Sequence, residues 1–340
     1  MSLLPFHFMT SSTSTPFALS CYTYPVSQQK KERFSLFYTR LFVTLSAKRI
    51  KKMVKRYYQV AGHSFSVELP EGAAVADEMA QYAPFVVDST DDVVFALRVV
   101  SAGEFPLVGQ PTVEINQDDD GSQIVAGMAG GQPYFEFQLW GKRAARMLTN
   151  DDYTSAVAVL ESDPLFGINN ALMVLYALAT ANKQTALFHS SVVSCDGRGY
   201  MFLGKSGTGK STHSRLWLQH IAGTELVNDD NPVVRCMADG FYVFGSPWSG
   251  KTPCYRNVSY PLGGIVQLSQ APYNAIRRLR SIEAYAALVP SISGKRWDKQ
   301  VAEGLHETEN LLAMEVKVWH LECLPDEAAA HTSHDAITEK

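Results

Sequence analysis

From Tyr57 to about Leu139 apolar and polar residues alternate in short runs, YYQVAGHSFSVELP, DDVVFALRVV, PTVEINQ and PYFEFQLW, divided by Gly, Asp and Pro. A period of two puts every second side chain on one face, so the pattern predicts antiparallel strands with one face in a core. Residues 141 to 160 read as helical, and GINNALMVLYALATAN (167 to 182) reads as a strongly apolar helix packed between two halves of the molecule. Beyond it, two apolar runs flank CDGRG, a hairpin signal because Asp-Gly suits a two-residue turn. The second run enters GKSGTGKST; STHSRLWLQHI then reads as one short helix, AGT breaks it, and ELVNDD is the next strand. There are no internal repeats. The pattern as a whole predicts an α/β protein with a β-rich N-terminal domain over 53 to 165, a second domain over 166 to 330, and a tail over 331 to 340.

Composition changes this picture mainly at the N-terminus. Of the 340 residues, 46% are hydrophobic and 19% charged, the balance of a globular protein. Residues 1 to 56 hold ten Lys or Arg against one acid, Glu32, while the rest of the chain stands at −13, with 20 basic and 33 acidic residues. A body so acidic argues against nucleic acid as a partner, since duplex affinity rests on Lys and Arg neutralising phosphates. Residues 1 to 52 are uncharged up to Gln29, then basic, and lack the charged start of a secretory signal. They read as a non-domain extension, with Met53 as the true start. No run of apolar residues is long enough to cross a membrane as a helix, so no membrane partner is expected. The five cysteines are scattered without zinc spacing, which suits reduced thiols in the cytoplasm.

The candidate chemistry begins at the glycine-rich loop. Gly204, Gly209, Lys210 and Ser211 match G-x-x-x-x-G-K-[ST] in full, with Ser206, Gly207, Thr208 and Thr212 completing the stretch. The glycines let backbone N–H groups turn toward an anion and the helix N-terminus adds its positive end. Lys210 reaches the phosphates of a nucleotide and Ser211 a magnesium ion. A purely structural turn would leave the Lys and Ser unexplained. The acids Asp229 and Asp230 follow one helix and one strand later. If their strand runs parallel to the loop strand, both ends emerge on one side of the sheet. One carboxylate would then hold Mg²⁺ and the other accept the proton of an attacking hydroxyl, the alternative being a solvated Asp-Asp-Asn-Pro turn.

FHSSVV, GYMFLGKSGTGKS and ELVNDD together resemble the catalytic core of the HPr kinase/phosphorylase family, and the SGTGKST wording is similar to ATP-dependent phosphoenolpyruvate carboxykinase. The resemblance covers roughly residues 185 to 325, including VKVWHLECLPDEAAA near the C-terminus. It implies an HPr-kinase/carboxykinase-type P-loop domain preceded by the β-rich domain. It also implies ATP and Mg²⁺ as cofactors, Lys210 and Ser211 on the phosphates and metal, Asp229 as base, Asp230 as metal ligand and His189 as a companion. CYRNVSYPLGGIV (254 to 266) has no acid where family members that also reverse the reaction carry one. That argues against phosphorolysis and against HPr as acceptor.

Lys251 and Arg256, in the loop GSPWSGKTPCYRN, are further candidates for stabilising a transferring phosphoryl group, as are Lys295 and Arg296; a solvated loop is the alternative for each. His213, inside the helix, reads as packed or solvated. The expected activity is transfer of the γ-phosphoryl group of ATP to a hydroxyl, foremost a serine of a small protein or peptide. A small-molecule kinase acting on free serine, a carboxykinase and a non-catalytic ATP-binding module remain alternatives, and an oligomer is left open.

Overall fold

The computed structural model describes residues 52 to 338 apart from 107, 108, 120 and 251, with no side-chain description for 116 to 119. The extension read over 1 to 52 therefore lies outside the described residues save Lys52, and so does Lys251. Two large mixed sheets dominate, so the chain is α/β but mostly strand.

The first sheet is built from β1 (Met53–Val60), β2 (His63–Pro70), β3 (Val86–Val87), β4 (Phe95–Val99), β5 (Thr112–Asp119), β6 (Ser122–Ala129), β7 (Gln132–Leu139), β8 (Lys142–Thr149) and β9 (Ser155–Leu160). Their order is β3-β1-β2-β4-β9-β8-β7-β6-β5. β1 and β2 form a hairpin in which Val60 pairs with His63 and Ala61 and Gly62 turn at φ 49° and 76°, the left-handed pair a two-residue turn requires. The expectation of antiparallel strands fails at β4, which runs parallel to both β2 and β9. Alternation reports a buried face, not the direction of the neighbour.

Residues 141 to 160, expected to be helical, are instead β8 and β9. KRAARMLT contains good helix formers, but β7 and β9 pair with its two edges and Ala144, Ala145, Met147 and Leu148 are buried. Pairing overrides local preference there. The short helix α1 (Val75–Glu78) leads into a 3-10 helix at Ala80–Phe85. The apolar helix forms as α2 (Pro164–Ala179), capped by Asp163 accepting from Phe166 N, and packs across β4, β7, β8 and β9. One core cluster continues from Tyr58 of β1 through α2 to Val318 of the second sheet.

That second sheet holds β10 (Thr185–Leu187), β11 (Ser190–Cys195), β12 (Arg198–Leu203), β13 (Glu225–Asp230), β14 (Val233–Met237), β15 (Gly240–Phe244), β16 (Ser259–Gln270), β17 (Ala275–Leu279) and β18 (Val318–Cys323). The main path is β10-β14-β15-β16-β12-β11-β13, with β18 beside β16 and β17 beside β18. The CDGRG hairpin forms with Asp196 and Gly197 at φ 48° and 73°. Four helices belong to this half: α3 (Lys210–His220), α4 (Ile282–Leu288), α5 (Lys299–Glu315) and α6 (Glu327–Thr338). Residues 331 to 338, read from the sequence as tail, are the later turns of α6, where Ser333 and Ile337 are buried. Ser333 Oγ takes the Trp217 indole N–H at 2.8 Å and meets His213 Nε2 at 2.9 Å, so α6 is bolted onto α3. No helix among the described residues is long and apolar enough to cross a membrane.

Candidate functional site

Strand direction assembles the site. β11 is antiparallel to both β12 and β13, so β12 and β13 point the same way and both end at the edge where β11 begins. The glycine-rich loop follows β12, Asp229 and Asp230 close β13, and His189 immediately precedes β11. Three segments separated in the sequence therefore converge at one edge. The backbone of His189 is fixed there by donation of its N–H to Ser291 O at 2.7 Å.

The loop leaves β12 at Gly204 and enters α3 through Gly209, whose φ of 111° closes off the ordinary L-residue conformations. Gly209 is also the N-cap of α3 and offers no side chain to it, whereas α2 and α5 are capped by Asp163 and Asp298. The first-turn N–H groups of a helix have no partner within the helix. Here they open toward an exposed loop, with Lys205, Ser206, Gly207 and Ser211 all solvent-facing. Gln270, at the end of β16, steadies the loop by donating to Gly207 O at 3.2 Å and Thr208 O at 3.4 Å. Beside the loop is a cleft of about 630 Å³ lined by Gly207 to Gly209, Thr212, Leu216, Leu268 and the Cys323–Pro325 turn, among others.

Lys210 does not point into solvent. Its ammonium donates to His189 Nε2 at 2.8 Å, to Gly204 O at 3.0 Å and to Lys205 O at 3.4 Å. Because an ammonium can only donate, Nε2 is the acceptor and the ring proton sits on Nδ1. Nδ1 lies 3.0 Å from Asp230 Oδ1, but off the line of a good hydrogen bond, so this buried imidazole N–H is poorly satisfied. Asp230 Oδ2 accepts from Asn231 Nδ2 at 2.8 Å. Burial raises the Asp230 carboxyl above its usual value, against the pull of His189 and Lys210 and with Asp229 adding to the rise.

Asp229 is placed differently. It pairs in register with Ser191, whose hydroxyl meets Ser214 Oγ of α3 at 2.6 Å, one turn on from Ser211. Paired residues share a face of the sheet and neighbours along a strand alternate, so Asp229 lies on the face that carries α3. Its residue is 6% exposed, and no hydrogen bond to its carboxylate is found among the described residues. The turn after the two acids is made by Asn228, whose Oδ1 accepts from the N–H groups of Asp230 and Asn231.

The weaker candidates separate. Arg256 donates to Leu226 O and pairs with Glu225, at the start of β13 and away from the acids. Lys295 is buried against Glu114 of the first sheet at 3.4 Å, and Arg296 pairs with the buried Glu309. All three are committed to structural ion pairs. His213 is buried, and Trp217 is core, but Leu218 beside it is 37% exposed.

Sequence reading missed the backbone of the loop that carries Lys251. Gly250 donates its N–H to Asp229 O at 2.9 Å, and Ser249 bridges to Asp230. A Cβ on Gly250 would lie 2.8 Å from Asp229 O and 3.2 Å from Asp230 Cβ, so only glycine fits. Gly250 beside the end of a strand is the one sequence signal that could have pointed to a close backbone approach there.

Among the described residues no group of three or more His, Cys, Asp or Glu is gathered to hold a metal by itself. Ser211 Oγ and the Asp230 carboxylate are oxygen donors beside the loop, and a Mg²⁺ ion commonly takes only one or two protein oxygens. No protein-family model matches this chain, and no curated protein matches it.

Proposed function

We propose that this protein is an ATP- and Mg²⁺-dependent P-loop kinase of the HPr-kinase-like type, transferring the γ-phosphoryl group to a hydroxyl, foremost a serine of a small protein or peptide. The observation that carries the reading is the meeting of Lys210, His189, Asp229 and Asp230 at one sheet edge, beside an exposed, uncapped helix N-terminus. Open N–H groups and a lysine favour a polyphosphate. The adjoining cleft, apolar on its Leu216 and Leu268 side, has room for the nucleoside.

In this reading Lys210 trades its carbonyl and imidazole partners for phosphate oxygens. Ser211 and Asp230 would hold Mg²⁺, which would supply positive charge beside the phosphates. Asp229, whose buried carboxylate has no hydrogen-bond partner among the described residues, takes the proton of the attacking hydroxyl. The new bond joins that oxygen to the γ-phosphorus, the bond to the β–γ bridging oxygen breaks, and ADP leaves with the electron pair. The near-complete burial of both acids favours a second reading, in which the acceptor is a small molecule such as free serine.

The test is incubation with γ-labelled ATP and Mg²⁺, offering free serine and short serine-containing peptides as acceptors, with binding followed calorimetrically. The expected outcome is Mg-ATP binding and label transfer to one class of acceptor, both lost in Lys210→Ala while the circular dichroism is retained. Unchanged ATP affinity and turnover in Lys210→Ala would sink the proposal.

A further inference from the structure

The loop between β15 and β16 touches the acid pair on one side and the first half of the molecule on the other. Its inner contacts are dense. Asn228 Nδ2 donates to Ser246 Oγ at 3.2 Å and to Trp248 O at 3.3 Å, Ser246 Oγ donates to Asn231 O at 2.6 Å, and Gly250 N reaches Asp229 O. The side chain of Trp248 turns the other way. It is 1% exposed, its ring lies 5.1 Å from that of Tyr176 on α2, and its Nε1 donates to Tyr82 Oη at 3.0 Å. Tyr82 Oη in turn donates to Asn169 Oδ1 at 2.9 Å. Tyr82 belongs to the 3-10 helix Ala80–Phe85, and the same helix holds the far end of the loop through Asn257 Nδ2 donating to Pro84 O at 3.0 Å.

From these contacts we infer that the 3-10 helix Ala80–Phe85 positions residues 245 to 250 over Asp229 and Asp230, with Tyr82 as a positioning residue for phosphoryl transfer. The inference rests on the kinase reading. Both anchors come from the N-terminal half, so that half completes the active edge rather than serving as a detachable module. The indole N–H of the buried Trp248 meets the hydroxyl of the buried Tyr82, which in turn donates to Asn169, so the loop is fixed by direction as well as distance, because the buried indole N–H has no water to turn to.

The experiment compares the full-length wild type with Tyr82→Phe and Asn257→Ala, using Mg-ATP with water as acceptor and following ADP release. Mg-ATP affinity, thermal midpoint and amide exchange at Gly250 are measured on the same samples, well below the unfolding temperature. Tyr82→Phe keeps the ring and removes only the hydroxyl. A displaced reacting group costs roughly tenfold to a hundredfold in rate. The expected result is therefore ADP release slowed by about that much, faster exchange at Gly250, and unchanged Mg-ATP affinity because Lys210 is held by other partners. Asn257→Ala, at an exposed position, shows the same split to a smaller extent, and it decides the matter should Tyr82→Phe fail to fold. A purely structural role would lower the thermal midpoint without slowing the folded enzyme. Wild-type turnover in Tyr82→Phe, or a loss confined to Mg-ATP affinity, overturns the inference and leaves the kinase reading standing. A wild type that neither binds Mg-ATP nor releases ADP overturns the kinase reading and this inference together.

Discussion

Asp229 and Asp230 are chain neighbours with different surroundings, and the two should respond differently to neutralisation. Asp230 has both oxygens near donors, whereas no partner for the Asp229 carboxylate is found among the described residues. Removing a base typically costs about 10²- to 10⁴-fold in rate, so Asp229→Asn is expected to bind Mg-ATP nearly normally and transfer phosphoryl groups at least that much more slowly. Asp230→Asn should weaken Mg-ATP binding as well, since it removes a metal ligand and leaves His189 Nδ1 without its carboxylate. Titration calorimetry and single-turnover rates separate the two, and reversed signatures would exchange the roles. His213 gives a residue-scale prediction about stability. Burial pushes its imidazole from 6.5 down to about 4. The unfolded chain therefore binds a proton that the folded chain refuses between those values. Stability is present in full above pH 6.5 and falls as the pH drops toward 4, by up to about 3 kcal/mol. Urea unfolding at a series of pH values should show that slope, and His213→Asn should reduce it, the buried His63 keeping its own share; an unchanged slope would refute the assignment.

At the scale of elements, the outcome turns on how closely a loop can approach a strand. Among the described residues from Gly245 to Val258 none belongs to a helix or strand, yet Gly250 and Ser249 lie against the end of β13. Gly250→Ala would place a methyl 2.8 Å from Asp229 O and 3.2 Å from Asp230 Cβ, both rigid neighbours. Overpacking of this kind costs about 1–3 kcal/mol, and the loop can escape it only by moving off the acids. The expected result is a lowered thermal midpoint together with slowed ADP release; wild-type values for both would show that the loop adapts freely. α3 illustrates the opposite case, an element held from outside by α6 through Ser333 and open at its own N-terminus.

For the whole molecule, α2 is the element that makes the two halves one body. Twelve of its 16 residues are buried, and the core cluster it belongs to extends into both sheets. Tyr82, Trp248 and the Lys295–Glu114 pair add polar ties between the halves. A chain beginning at Met53 is therefore expected to remain soluble and as active as the full chain. One beginning near Thr185 should aggregate, because it exposes the surfaces that α2 and β1 cover. Light scattering and ADP release on the two shortened chains test this, and a soluble, active fragment from Thr185 would place the boundary elsewhere.

What the sequence by itself determined was local. Asp196-Gly197 makes its hairpin because left-handed turn geometry depends on two adjacent residues, whereas the turn at Ala61-Gly62 lies inside a stretch that reads as one continuous run. Gly204 to Ser211 form a loop into a helix because glycine placement decides which backbone angles are open, and the apolar stretch 167 to 182 is buried as α2 over most of its length because it has no polar face. The tertiary structure alone decided that residues 141 to 160 pair as strands, that β4 runs parallel to its neighbours, and that residues 331 to 338 brace α3. It also brought His189 onto Lys210 and Asp230, and Trp248 onto Tyr82, across 21, 41 and 166 positions of chain. The reason is physical: a turn closes on its own hydrogen bonds, while a strand or a buried side chain takes its partner from whatever distant segment the shared core brings beside it.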